Sequence, residues 1–291
     1  MNPSKTGVSS LGGAIGVFDS GVGGLSVLRE IVRQIPQQPV LYFADTDHVP
    51  YGNRQASEIR SFAQAITAFL VEQGARVVVV ACNTASAVAL YPLRDRFDLP
   101  IVGMEPAVKP AAERTHSQQI GVIATQATFQ GQLFARLVER FAQGARIHTQ
   151  VCPGLVEQVE AGLIDDPGTE ALLRTYLSPM LEAGMDSLVL GCTHYAFLRP
   201  TIERLVGPEV AVIDPAPAVA RQTARVRFQL GEPQRKESGP RHVTYFVSGD
   251  PRAFQTIARR LTGIPGAVVP VQWVGGTPRL AAPPHRVKPS P

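Results

Sequence analysis

The sequence has few cysteines and no long apolar run. Its 291 residues include only three cysteines, Cys82, Cys152 and Cys192, an odd and sparse set that favours reduced thiols over a disulfide framework. No apolar stretch approaches the length of a membrane span, and residues 1–13 lack the apolar segment of a signal peptide. We therefore expect a cytoplasmic protein with no membrane partner.

Several binding motifs are also missing. The run Asp19–Gly24 has Ser26 two positions beyond it, where a dinucleotide fingerprint needs glycine, and no Walker lysine follows. The net charge is +4; Arg279, Arg286 and Lys288 lie in the Pro-rich segment 279–291, Arg235 and Lys236 lie in the loop-like stretch 231–240, and elsewhere the charges are mixed. No recognition helix or aromatic RNA-binding signature is present, so we expect no nucleic-acid partner. Residues 1–13 and 279–291 are predicted to be flexible tails.

Short apolar runs alternate with stretches of helical spacing along the chain. Val77–Ala81 is apolar without alternation, which predicts a strand covered on both faces. Helices are predicted over 129–141 and over 85–96, where Pro92 is expected to kink or split the helix. Alternating strands and helices predict an α/β fold with mainly parallel sheets flanked by helices.

The two halves of the chain resemble each other. Three ordered pairs of segments match at offsets between 105 and 110 residues: Ile15–Ser20 with Ile120–Thr125, Val78–Thr84 with Leu188–His194, and Glu105–Ala107 with Asp214–Ala216. The alternative is a shared strand-and-turn pattern without common ancestry. In either case the pattern predicts two similar, pseudo-symmetric domains rather than a solenoid of short repeats.

The domain boundaries follow from the repeat. After Pro215 the chain has more elements than one repeat holds, and we expect them to complete the sheet of the first domain. The first domain is therefore predicted at 14–104 plus 215–275 and the second at 105–214. Ligands of α/β folds bind at the carboxyl ends of strands, which places the active site in the cleft between the domains.

Cys82 and Cys192 each close an apolar run at equivalent places in the repeat. A lone cysteine after a strand is most often a buried small residue. Here the duplication and the hydrogen-bonding neighbours, Asn83-Thr84 and Thr193-His194, favour chemistry instead. A nearby imidazolium or helix N-terminus lowers the pKa of a thiol, which can then act as a base. Cys152 has no counterpart and is predicted to be structural.

Four motifs in order carry a resemblance to a known family. Gly16–Leu25, Pro50–Gly52, Ala81–Ala85 and Gly191–Tyr195 together resemble glutamate racemase, of the aspartate/glutamate racemase family, and the resemblance runs from Ile15 to Pro215. It implies interconversion of L- and D-glutamate without a cofactor, for peptidoglycan synthesis, by a protein that is commonly a homodimer.

The resemblance also implies roles for individual residues. Cys82 and Cys192 match the acid/base pair, assisted by Asp19 and His194. Counting from Cys152-Pro153 places a functional glutamate of the family at Glu160, in a segment where Glu157 replaces the usual proline. The matching substrate-binding positions are Asp19, Ser20, Tyr51, Gly52, Asn83, Thr84, Thr193 and His194.

Elementary chemistry agrees with a two-thiol mechanism. Inverting a Cα centre requires removing a proton from one face and returning one to the other, which two fixed groups do more simply than one. No lysine stands in either cysteine motif as an attachment point for pyridoxal phosphate. One alternative is a zinc site of Cys82, Cys192 and His194, although neither cysteine belongs to a C-x-x-C motif. The others are a thiol hydrolase, a non-catalytic ligand-binding protein, and a racemase for aspartate or another amino acid. We expect no metal.

Overall fold

The computed structural model describes residues 13–142, 144–231 and 243–281. Within them, two sheets are flanked by helices, and the predicted α/β class is confirmed. The strands are β1 (Ala14–Asp19), β2 (Val40–Ala44), β3 (Ala75–Val80), β4 (Ile101–Gly103), β5 (Gln119–Ala124), β6 (Arg146–Val151), β7 (Ser187–Gly191), β8 (Ala211–Ile213), β9 (Val243–Val247), β10 (Ala267–Val274) and β11 (Thr277–Leu280). The helices are α1 (Leu25–Gln34), α2 (Ala56–Glu72), α3 (Asn83–Arg96), α4 (Val108–Arg114), α5 (Gln126–Gln130), α6 (Gln132–Phe141), α7 (Leu155–Glu160), α8 (Pro167–Glu182), α9 (Arg199–Val206), α10 (Ala216–Gln229) and α11 (Pro251–Thr262). Two 3-10 turns cover Tyr51–Asn53 and Thr193–Phe197.

The two sheets repeat one topology. The first has the order β11-β10-β9-β2-β1-β3-β4 and the second the order β6-β5-β7-β8. The four strands β2-β1-β3-β4 thus correspond to β6-β5-β7-β8, and every pair within both sets is parallel. Cys82 follows β3 and Cys192 follows β7, which are equivalent strands. The sequence repeat is therefore a repeat of structure.

Strands β9, β10 and β11 extend only the first sheet. β9 lies beside β2, β10 lies parallel to β9, and β11 returns antiparallel as an edge strand. The first sheet therefore takes strands from both ends of the chain, with the second sheet inserted between them. On this topology we propose the two-domain division predicted from the sequence, with the first domain continued to Leu280.

The tail boundaries differ from the prediction. Arg279 and Leu280 belong to β11, paired with Gln272 and Val271, so the prediction of a tail from residue 279 is wrong for these two residues. Gly13 is buried directly before β1, and its carbonyl accepts a hydrogen bond from the buried Arg227. The amide of Ala281 also donates to the carbonyl of Pro270 (3.0 Å), and the rest of the predicted tails, 1–12 and 282–291, lies outside the described residues.

Two helices also differ from expectation. The helix predicted over 129–141 is divided by Gly131, whose backbone is extended (φ −70°, ψ 137°). A Cβ atom at Gly131 would lie 2.6 Å from the Cβ of Ala87, so α3 packs closely against the chain at this break. Pro92, by contrast, does not split α3, which runs from Asn83 to Arg96.

The central strands are buried on both faces, as predicted. Val77 and Val79 of β3 pack into one apolar cluster, whereas Val78 and Val80 pack into another on the opposite face. Burying one such side chain contributes about 1.5–3 kcal/mol, so the strands form a rigid base for the residues at their carboxyl ends. No helix in the described ranges is both long and apolar enough to cross a membrane.

Candidate active site

The carboxyl ends of equivalent strands bring the predicted thiols and their neighbours to one buried region between the sheets. Asp19 is the last residue of β1 and is fully buried. Cys82 caps the N-terminus of α3, where its Sγ accepts a hydrogen bond from the amide of Ala85 (3.4 Å). Cys192 directly precedes the 3-10 turn that begins at Thr193. Only 4% of Cys82 and 7% of Cys192 is exposed, so solvent is almost excluded from both sulfur atoms.

Asp19 connects the two halves of this region. Its Oδ2 accepts a hydrogen bond from the Gly21 amide (3.0 Å), and its Oδ1 accepts one from the Thr193 hydroxyl (3.2 Å). The N-cap position of α1 is Gly24 rather than Asp19, and the amides of Gly21 and Gly24 both favour the charged form of the Asp19 carboxyl. Burial raises the pKa of the Asp19 carboxyl, against the opposing charge of His194.

The environment of Cys82 favours the neutral thiol. Burial raises its pKa, and the negative charge of Asp19 raises it further, although the amides of Ala85 and Ser20 favour the thiolate. The charge of Cys192 acts in the same direction as Asp19, because the two sulfur atoms belong to one electrostatic environment. Burial and the charge of Asp19 therefore favour the protonated form of Cys82.

His194 has the opposite tendency. Burial alone would lower its pKa, but its contacts with Cys192 and Glu160 outweigh burial and raise the pKa well above its ordinary value. Nδ1 lies 3.7 Å from the Cys192 sulfur, and Nε2 lies 2.6 Å from Oε1 of Glu160. The raised pKa favours the imidazolium form of His194, and Nδ1 of this ring faces the sulfur of Cys192.

Two glycines allow the second half to approach the turn after β1. A Cβ atom at Gly21 would lie 2.0 Å from Oε1 of Glu160, and one at Gly23 would lie 2.3 Å from Nδ1 of His194. Oε1 of Glu160 also accepts a hydrogen bond from the Val22 amide (2.8 Å). The missing side chains of this glycine-rich turn leave the space that Glu160 and His194 occupy.

Asn83 and Thr84 extend the polar surface next to Cys82. The amide Oδ1 and Nδ2 of Asn83 are buried and have no hydrogen-bond partner among the described residues. The Thr84 hydroxyl lies 2.8 Å from that of Thr125, which in turn lies 2.9 Å from that of Thr128. Asn83 thus presents unpaired donors and an acceptor, whereas Thr84 joins a group of hydroxyls from both sheets.

Ser20, Tyr51 and Gly52 lie at the edges of the region. Ser20 is buried next to Asp19, and its amide lies close enough to Cys82 to favour the thiolate. The Tyr51 hydroxyl donates to Oδ2 of Asp45 (2.5 Å). A Cβ atom at Gly52 would lie 3.0 Å from that of Thr125, so this turn also contacts the second half.

Asp45, Thr125 and Thr128 are not among the residues predicted from the sequence. Asp45 directly follows β2, and Thr125 directly follows β5. The signal that could have found these two is the one that identified Cys82 and Cys192, a polar residue immediately after a buried strand. Thr128 lies one turn into α5, where no such signal exists.

The remaining features of the region bear on the alternatives. Cys152 is a buried free thiol whose Sγ contacts the Gln150 carbonyl at 3.6 Å. In the described part of the chain, no three side chains of histidine, cysteine, aspartate or glutamate are grouped to hold a metal ion. A cavity of about 680 Å³ lies beside Glu105 and Asp214, which begin the third pair of matching segments in the repeat. Its lining includes neither Cys82 nor Cys192.

Comparison with known proteins identifies the family. Residues 15–223 match the family model described as Asp/Glu/Hydantoin racemase. The chain belongs to this racemase family. The resemblance predicted from the four motifs, and with it the prediction of a racemase, is thereby confirmed.

Individual relatives in the family are similar over nearly their whole length. The glutamate racemase of Ectopseudomonas mendocina is 50% identical over 86% of this chain and 94% of its own. That of Roseiflexus sp. is 48% identical over 85% of this chain and 91% of its own. The crystal structure of Escherichia coli glutamate racemase, in complex with L-glutamate and the activator UDP-MurNAc-ala, superposes with a TM-score of 0.79 at 31% identity, covering 91% of this chain and all of the other.

Proposed function

We propose that this chain is a glutamate racemase in which Cys82 and Cys192 transfer protons on opposite faces of the substrate Cα. The observation that carries the proposal is the placement of two buried thiols at the carboxyl ends of equivalent strands, β3 and β7, in one polar region. Two relatives that match 85–86% of the chain are glutamate racemases, and a similar solved structure, the glutamate racemase of Escherichia coli, is a complex with L-glutamate.

The proposed reaction needs one thiolate and one thiol. The thiolate removes the α-proton, and the electron pair left on Cα is held as a carbanion by hydrogen bonds to the α-carboxylate. The thiol on the other face then donates its proton to Cα, which gives the opposite enantiomer. Cα loses one proton to the first sulfur atom and gains one from the second, so the two sulfur atoms exchange protonation states. In the reverse reaction the second sulfur atom is therefore the base and the first is the acid.

Different neighbours prepare the two thiols for these roles. Burial and the charge of Asp19 keep Cys82 protonated, whereas the imidazolium of His194 lies beside Cys192. In this proposal Asp19 assists proton transfer at Cys82, while His194 and Glu160 assist it at Cys192. The Thr193 hydroxyl connects the two sets through its hydrogen bond to Asp19.

The substrate is proposed to lie between the sulfur atoms, against the polar residues around them. The unpaired amide of Asn83 supports this, because a buried amide without partners costs about 1–3 kcal/mol unless a ligand completes its hydrogen bonds. Asp19 and His194 supply charges for the substrate's ammonium and carboxylate groups. The other proposed binding residues are Ser20, Tyr51, Gly52, Thr84 and Thr193.

The chemistry of this site requires no cofactor, because the two thiols hold and deliver both protons. The peptidoglycan role is proposed from the family resemblance, and it fits the MurNAc nucleotide bound to the Escherichia coli relative. Cytoplasmic location and homodimer formation also stay predictions; sedimentation at several concentrations tests the latter.

The decisive test combines solvent exchange with single-cysteine variants. Racemisation of unlabelled glutamate in deuterated water should place deuterium at Cα of the product. Cys82→Ala and Cys192→Ala should each reduce turnover in both directions by at least about 10³-fold, because each direction needs an acid and a base. Cys152→Ala is the matched control and should retain activity.

Three results would contradict the proposal. They are product without α-deuterium, near-normal turnover by Cys192→Ala, and equal loss of activity in Cys152→Ala. Comparing the turnover of glutamate with that of aspartate under the same conditions distinguishes a glutamate racemase from the main alternative, an aspartate racemase. Higher turnover of aspartate would exclude the proposed substrate.

A further inference from the structure

A buried carboxylate outside the proposed catalytic set holds the loop that carries Tyr51 and Gly52. Asp45 follows β2 and is fully buried. Four side chains lie within hydrogen-bond distance of its carboxylate: the Tyr51 hydroxyl (2.5 Å), the Trp273 indole Nε1 (2.8 Å), the His48 Nδ1 (2.9 Å) and the Ser248 hydroxyl (3.0 Å). Such a carboxylate fixes its donors, because losing any one leaves part of a buried charge unpaired.

The four donors come from two parts of the chain. His48 and Tyr51 belong to the loop itself, whereas Ser248 follows β9 and Trp273 lies in β10. The Ser248 hydroxyl also accepts a hydrogen bond from the Asp47 amide (3.1 Å). The loop between β2 and α2 is thus fastened, through Asp45, to strands from the end of the chain.

Ring contacts fix Trp273 in the position from which it donates. The His48 ring stacks on Phe62 with centroids 4.1 Å apart, and the Trp273 ring meets both edge-on, at 4.9 Å and 5.4 Å. Tryptophan occurs once in this sequence. Its indole N–H therefore has a defined direction, toward Oδ1 of Asp45.

Ser248 and Trp273 both belong to the part of the first sheet that has no equivalent in the described second sheet. Cys82 and Cys192 follow β3 and β7, which belong to the repeated strands, whereas β9–β11 lie outside that set. Ser248 and Trp273 instead contact Asp45, next to the loop that contacts Thr125 across the site.

We propose that Trp273 and Ser248 are positioning residues, which hold Asp45 and thereby keep the Tyr51-Gly52 turn ordered for substrate binding. The proposal rests on the proposed function, in which this turn contacts glutamate. An ordered loop binds more tightly than a mobile one, because the ordering cost is not taken from the binding free energy. The same loop contacts reactant and transition state alike, so its order should affect KM more than kcat.

The test uses two variants that each remove one hydrogen-bond donor. Trp273→Phe keeps an aromatic ring against His48 and Phe62, and Ser248→Ala removes the hydroxyl alone. Each should raise the KM for glutamate by about fivefold to tenfold, while kcat changes by less than about twofold. Gln272→Ala is the matched control, since Gln272 is exposed on the neighbouring position of β10; its KM should equal that of the wild type.

Amide hydrogen exchange supplies a readout that does not depend on activity. The amides of Asp47, His48 and Arg54 are hydrogen-bonded in or next to the loop and should exchange about tenfold faster in both variants, but not in Gln272→Ala. A KM within twofold of wild type in both variants overturns the proposal, whether or not exchange accelerates. A wild-type chain that does not racemise glutamate overturns the proposed function instead. In that case, unchanged amide exchange in Trp273→Phe and Ser248→Ala would still show that these residues do not order the loop.

Discussion

Oε1 of Glu160 lies 2.6 Å from Nε2 of His194 and also accepts the Val22 amide at 2.8 Å. One carboxylate oxygen thereby raises the pKa of His194 and joins α7 to the turn after β1. The charge state of the imidazole and the closure of the two halves consequently depend on the same atom.

Glu160→Gln should remove the negative charge beside His194 while keeping the size and shape of the side chain. Loss of the carboxylate removes one of the two contacts that raise the pKa of His194, so that pKa should fall. We expect kcat/KM to decrease about tenfold, equivalent to about 1.4 kcal/mol of transition-state stabilisation. Histidine NMR titration gives the pKa and steady-state kinetics the rate. Glu157→Gln makes the same charge change at an exposed position of α7, and an equal effect there would contradict this role of Glu160.

Gly23→Ala should displace His194 from Cys192. The added Cβ would lie 2.3 Å from Nδ1 of His194, a separation that real atoms do not adopt, so the ring must move. We expect turnover to fall at least about 100-fold, because a misplaced proton donor loses much of the effect of general acid catalysis. Circular dichroism should show a folded protein. Gly168→Ala, on the exposed start of α8, is the control and should keep full activity.

Asn83→Leu should stabilise the protein while abolishing turnover. The Asn83 amide is buried and has no hydrogen-bond partner in the described part of the chain, so replacing it with an apolar side chain of similar volume removes an unsatisfied group. We expect the free energy of unfolding in urea to rise by about 1 kcal/mol.

Ser187→Ala is the comparison for Asn83→Leu. The Ser187 hydroxyl is also buried without a hydrogen-bond partner among the residues that the structure describes, but it lies at the opposite end of β7 from Cys192. This variant should be at least as stable as wild type and equally active. A substantial loss of stability in Asn83→Leu would show that the amide has a structural role.

The raised pKa of Cys82 should make stability fall at alkaline pH. Above the ordinary value of 9.0 the unfolded thiol loses its proton while the folded thiol keeps it, so the folded state binds more protons and the free energy of unfolding decreases as pH rises. Between pH 8.5 and 10, wild type should lose about 1 kcal/mol more than Cys82→Ser. Urea unfolding at each pH measures this difference; parallel pH profiles would contradict a raised pKa.

Much of the site follows from the sequence because buried parallel strands end at one edge of a sheet. Asp19, Cys82 and Cys192 are each found by locating an apolar run and reading the next polar residue. Glu160 is different: it lies at the end of α7, and only the family resemblance pointed to it. Its contact with His194 depends on how the two halves pack, which no local pattern encodes.

The hairpin β10–β11 escaped prediction for a related reason. Pro278 and the neighbouring glycines are typical of a loop, but proline is tolerated in an edge strand, and β11 is one. The contact of Trp273 with Asp45 joins residues more than 200 positions apart. Nothing in either segment alone indicates that one orders the other.

The near-complete burial of both sulfur atoms has a kinetic consequence. We expect contacts that join the two halves, such as Glu160–Val22, Thr193–Asp19 and Thr84–Thr125, to separate once when an amino acid enters and again when the product leaves. Each catalytic cycle then includes two openings of the region between the sheets. We expect the rate of opening to set an upper limit on turnover, whatever the rate of proton transfer in the closed site.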